Sequence, residues 1–89
     1  MNIVLDFSGI SSRKELHAYI KEAFRFPEYY GSNLDALHDC LSEISEPTEV
    51  TIYGKQALLD TFDQYGDTLL QVMRSTAHEN PHFSIEIMD

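Results

Sequence analysis

Three observations predict an α/β fold, with a three-stranded parallel β-sheet packed against about four α-helices. Three short runs rich in Val, Ile, Tyr and Phe (Ile3–Phe7, Val50–Tyr53 and Phe83–Ile87) have the length and composition of strands. The two stretches between them carry apolar residues at intervals of three and four, each stretch broken once by turn residues, so each reads as a pair of helices. Strands separated by helices pair in parallel, because the connection must return along the sheet outside its plane, and such crossovers are right-handed.

Each element has its own justification. Ile3-Val4-Leu5-Asp6-Phe7 is nearly continuous in apolar side chains and closes at Ser8-Gly9, the pattern of a strand covered on both faces. Ser12 followed by Glu15 has the spacing of a capping box, and Leu16, Tyr19, Ile20, Ala23 and Phe24 then trace one face of a helix over residues 13–25. Phe26-Pro27 stops it, and Gly31 is expected to supply the positive φ of a tight turn. Asn33 is a good N-cap for a second helix, with Ser32 and Asp35 offering a frame one residue earlier. In that helix Leu34, Leu37, Leu41 and Ile44 form an apolar stripe, and Asp35 and Asp39 fall on the opposite side.

The second strand ends at Gly54, and Leu58, Leu59 and Phe62 suggest a short helix after it. Gly66 and Asp67 are expected to form a break and a cap before a longer helix, whose inner face is Leu69, Val72, Met73, Thr76 and Ala77. Asn80-Pro81 terminates it near His78. The final strand alternates apolar and polar residues, as an edge strand does.

Size and charge bound the function. A chain of 89 residues predicts a single domain over 1–89 with one modest core. A hydrophobic share of 43%, with five tyrosines and five phenylalanines, argues for a folded globule although the formal net charge is −9. That sign disfavours nucleic acid and anionic membrane surfaces as partners. Cys40 is the single cysteine, which excludes an intrachain disulfide and fits a reducing compartment. Its place in a helical pattern suggests a small core residue rather than a nucleophile. The first six residues lack the basic start and apolar length of a signal peptide, and no window reaches the roughly 20 apolar residues of a membrane span, so a cytoplasmic location is expected.

The acids are unevenly distributed. From Phe26 through Gly54 there is no lysine or arginine, whereas Glu28, Asp35, Asp39, Glu43, Glu46 and Glu49 all fall there. Such a face repels polyanions and attracts a basic partner. Asp35 and Asp39 repel each other at i, i+4, at a cost of roughly 0.2–0.5 kcal/mol to a helix. Asp35 lies in the first turn, where the macrodipole favours an acid; Asp39 lies beyond it and is the residue least explained by folding.

An enzymatic use of the pair fails, because paired catalytic carboxylates flank a cleft and need environments that separate their pKa values. His38 with Asp35 and Asp39, or His78 with His82 across Pro81, lack compelling metal-ligand spacing. No phosphate-binding glycine loop and no basic patch interleaved with aromatics is present. A non-enzymatic protein without metal or cofactor is the expectation. Of Tyr29 and Tyr30, one is expected to fill the gap between helices and Tyr29 to be the exposed interface anchor.

The run Pro27-Glu28-Tyr29-Tyr30-Gly31, with Asn33-Leu34-Asp35-Ala36-Leu37 and Asp39-Cys40-Leu41, resembles the barstar family, intracellular inhibitors of the secreted ribonuclease barnase. Weaker similarity extends through Leu70–Arg74 and Ser84–Met88. The resemblance implies a barstar-like fold and a function: the acidic helix and preceding loop plug the basic active-site groove of a barnase-type microbial ribonuclease. It implies that Tyr29 packs on the enzyme's catalytic region and that Gly31 and Asn33 add loop contacts. Asp35 then pairs with active-site cations and Asp39 takes the place of the substrate phosphate. Leu34, His38, Ser42 and Ile44 complete the implied partner-binding set, on a protein that is monomeric when free.

The family's prototype has tryptophan at the positions of His38 and Ile44 and an acid at that of Ser75, whereas this chain has no tryptophan. His38 adds positive charge to the face at acid pH. These departures keep open an alternative, an acidic protein-interaction module of the same fold whose partner is not a ribonuclease. A mimic of DNA is a third class that rests on charge alone.

Overall fold

The computed structural model describes residues 1–88. In chain order the elements are β1 (Asn2–Asp6), α1 (Arg13–Phe24), α2 (Leu34–Ser42), β2 (Thr48–Tyr53), α3 (Lys55–Phe62), α4 (Gln64–Glu79) and β3 (Phe83–Ile87). The strands form one parallel sheet in the order β1-β2-β3, with Ile3 beside Val50 and Val50 beside Ile85. The α/β class, the parallel sheet and the element order are those the sequence predicts.

Burial along β1 alternates, which corrects the expectation of a strand covered on both faces. Ile3 and Leu5 point into the core, while Val4 between them is 61% exposed. The physical reason is the sheet's position: one face packs on the helices, and the other presents Val4, Glu49, Tyr53 and Glu86 to solvent. β1 and β3 are the two edges, and β2 is central.

Two glycine expectations are also corrected. Gly31 does not hold a positive φ; Ser32 beside it does, at 54°. Gly31 is small because an added Cβ would lie 3.2 Å from the Asn33 amide nitrogen and 3.3 Å from the Ala36 Cβ. Gly66 does not break a helix, since α4 already starts at Gln64 behind Asp63, whose φ is 49°. Buried in the first turn of α4, Gly66 lets that helix approach α3, where a Cβ would come within 2.9 Å of the Leu58 carbonyl oxygen. Close packing and strain relief both select glycine, and the sequence does not distinguish them.

α1 begins at Ser12, whose hydroxyl accepts from the Glu15 N–H at 3.1 Å. The Glu15 carboxylate turns to the Ser11 hydroxyl at 2.8 Å. The helix ends one turn before Pro27, with Arg25 left-handed at φ 57° and the Phe26 N–H donating to the Lys21 carbonyl at 3.0 Å. Leu5, Leu16, Ile20, Leu37, Leu41, Ile52, Leu58, Leu69 and Met73 are fully buried in one cluster. Two members of that cluster, Leu37 and Leu41, anchor α2 and so fix which of its faces meets solvent.

Candidate functional site

α2 and the loop before it are fastened at three points. Asn33 caps the helix, its side-chain oxygen accepting from the Ala36 N–H at 2.8 Å while its amide nitrogen donates to the Gly31 carbonyl at 3.2 Å. The expected Asn33 frame is therefore the one adopted. At the other end the buried Asn80 side chain, from the end of α4, donates to the carbonyls of Leu41 and Ile44, each at 3.0 Å. The Leu41 carbonyl otherwise meets the Ile44 N–H at 3.3 Å, and Asn80 adds shorter bonds at the helix end, where the intrahelical ladder runs out.

The third fastening is a buried histidine. His17 is 1% exposed on α1. Its Nδ1 lies 2.7 Å from the Tyr30 hydroxyl and its Nε2 2.6 Å from the Tyr65 hydroxyl. The loop tyrosine is thereby tied to α1 and α4 at once. Burial first, then the nearby Arg13 cation, hold the His17 pKa below its ordinary value, and Arg13 also lies over the Tyr65 ring at 3.8 Å. Burial pushes the Tyr30 hydroxyl up, with smaller contributions from Cys40 and Tyr65. A neutral imidazole between two neutral phenols donates one hydrogen bond and accepts the other.

On this frame the residues expected to meet a partner separate as follows. Tyr30 is buried, and Tyr29 beside it is 81% exposed, the division expected for the pair. Gly31, Asn33, Asp35, Asp39 and Ser42 are exposed; Leu34, His38 and Ile44 are half-buried. Leu34 and Ile44 pack on the edge of the core. The Ser42 hydroxyl donates back to the His38 carbonyl at 2.7 Å. Asp35 and Asp39 stand on the solvent side of α2, opposite Leu37 and Leu41.

The charge of this surface is largely uncompensated. Lys21 of α1 pairs with Glu28 at 3.1 Å, so one acid of the loop has a partner that lies outside its own stretch of sequence. Among the described residues no lysine or arginine pairs with Asp35 or Asp39; the His38 ring lies 3.9 Å from Asp39. The Cys40 thiol is pushed up by burial, then by Glu43 and Asp39, which disfavours the nucleophilic thiolate. No group of three or more metal-ligating side chains occurs among the described residues, and no described helix is long and apolar enough to cross a membrane.

Sequence reasoning passed over His17 and Lys21, and gave Asn80 only the ending of a helix. His17 had a signal, since it falls three residues before Ile20 and seven before Phe24, on the buried stripe of α1. Lys21 and Asn80 had none, because their partners are brought near only by packing.

Comparison with known proteins agrees with this geometry. Residues 1–87 match the family model described as Barstar (barnase inhibitor). The chain is 32% identical over 78 residues, 86% of each protein, to a Bacillus subtilis (strain 168) protein named "Putative ribonuclease inhibitor YrdF". With the family model covering nearly its whole length and a parallel three-stranded sheet that presents an acidic α2, the chain belongs to the barstar family.

Proposed function

We propose that this protein is a non-enzymatic inhibitor that blocks the basic active-site groove of a barnase-type ribonuclease. The observation that carries the reading is the exposed pair Asp35 and Asp39 beside the exposed Tyr29 ring, on a helix whose other face buries Leu37 and Leu41 completely. A carboxylate held by a rigid helix and left without a cation offers basic side chains the charge that a substrate phosphate would offer. Tyr29 adds a flat amphipathic surface of the kind that anchors interfaces. Asp39, which no described lysine or arginine pairs with, takes the phosphate position; Asp35 meets neighbouring cations; Gly31, Asn33, Leu34, His38, Ser42 and Ile44 complete the contact surface. Acting in the cytoplasm as a monomer, it protects the cell that makes the secreted enzyme. Family membership and the named relative support this reading.

The test is inhibition of a panel of barnase-type ribonucleases by stoichiometric protein, with Asp39→Ala beside wild type. Truncating one member of a desolvated charge pair costs about 2–5 kcal/mol, a scale that itself includes the barnase–barstar complex. Asp39→Ala is expected to abolish inhibition at stoichiometric concentrations while its unfolding midpoint stays level or rises slightly, because a repulsion is removed. Absence of inhibition by wild type across the panel would favour a second reading, an acidic interaction module with another partner. That reading draws on the half-buried His38 and Ile44 and the exposed Ser75, where the prototype has two tryptophans and an acid.

A further inference from the structure

Glu43 stands where a helix tolerates an acid least. It is the C-cap of α2, at the negative end of the helix dipole, and the last turn contains no basic residue. It follows Asp39 by four residues, so two like charges share one face. Its backbone N–H is used, donating to the carbonyls of Asp39 at 3.2 Å and Cys40 at 3.3 Å. Among the described residues no lysine or arginine pairs with its side chain. Folding alone would favour lysine or glutamine at this position.

The same residue borders a recess. Tyr29, Tyr30, Gly31, Asp39, Cys40 and Glu43 line a hollow of about 220 Å³ between the loop and α2. The space suits the head of one side chain and is too small for a nucleotide. Its walls combine an exposed aromatic ring with carboxylates on successive helical turns, and such turns hold their Cβ atoms about 5–6 Å apart. We infer that Glu43 is a second partner-reading carboxylate, which with Asp39 and the Tyr29 ring receives a single arginine side chain of the partner.

Arginine fits this set better than other cations. Its planar guanidinium offers N–H groups in a fixed fork, so it bridges two carboxylates while its face lies on an aromatic ring. Lysine is a point charge without a stacking face, and an imidazole has only two N–H groups and is largely neutral at pH 7. Glu43 then acts as a specificity residue, selecting partners that place an arginine opposite this recess. The inference rests on the inhibitor reading for its setting, and its test has an arm independent of any ribonuclease.

In that arm, N-acetyl-L-arginine amide is titrated into the free protein against the neutral citrulline analogue, and the amide resonances of Gly31 and Cys40 are followed. Saturable shifts with the arginine compound alone, reduced about fivefold or more in Glu43→Gln, are expected. In the second arm, Glu43→Gln is expected to weaken a ribonuclease complex about tenfold or more, and much less in an Asp39→Asn background, because both acids share one cation. Its free form should unfold at the same or a higher temperature, which separates lost binding from lost folding. Indistinguishable titrations, or wild-type affinity in Glu43→Gln, overturn the inference. If wild type inhibits no ribonuclease, the inhibitor reading fails and the titration alone decides the recess.

Discussion

At Asp39 a charge is held out into water, four residues from Asp35, with the His38 ring 3.9 Å away. If His38 belongs to the contact surface, His38→Ala is expected to weaken inhibition of a basic ribonuclease, measured by titration calorimetry, while the unfolding midpoint stays level; unchanged affinity removes the ring from that surface. Asp39 was legible in the sequence by elimination, since helix periodicity explains Leu37 and Leu41 and the dipole explains Asp35. His17 was less legible, because a lone histidine on an apolar stripe gives no sign of the two hydroxyls that enclose it.

The elements show where periodicity succeeds and where it stops. The stripe Leu37–Leu41 sets the orientation of α2 because burial rewards one face only. Its C-terminus depends instead on Asn80, 39 residues from Leu41 in the chain. Asn80→Ala removes the side-chain bonds to the Leu41 and Ile44 carbonyls and the one received from the His82 N–H, and is expected to cost about 1–3 kcal/mol in urea unfolding. Since α2 carries Asp39, it should also weaken inhibition modestly, by loosening the helix rather than removing a contact. Gly66→Ala tests the corrected α3–α4 junction. A helix-breaking glycine would gain about 1 kcal/mol from alanine, whereas the 2.9 Å approach to Leu58 predicts a loss of about 1–3 kcal/mol.

For the whole molecule, pH and salt act through different parts. His17 is neutral and enclosed by Tyr30, Tyr65 and the Arg13 cation, so the folded protein resists its protonation. The unfolded chain takes up that proton near pH 6.5. Stability from this residue is thus complete above about pH 6.5 and is lost as pH falls toward the depressed folded pKa. Urea unfolding of wild type minus His17→Gln should show a difference that shrinks across that window, and a constant difference would refute it. The same tether holds the buried Tyr30 in the loop before α2, so acid should loosen that loop together with the fold. Salt acts from outside: association with a basic enzyme should slow as ionic strength rises, while dissociation changes little.

By itself the sequence determined the class, the order of seven elements, the apolar face of α2 and the unpaired acids on its other side. These follow from local spacing, capping residues and charge, which any short window contains. Only the tertiary structure decided that β1 is half exposed, that Ser32 rather than Gly31 takes the left-handed turn, and that Gly66 lies inside a helix contact. It also decided that His17, Lys21 and Asn80 support the acidic face and that Glu43 shares a recess with Asp39 and Tyr29. Each depends on which distant segments meet, and spacing along a chain does not encode the distance between two elements once they pack.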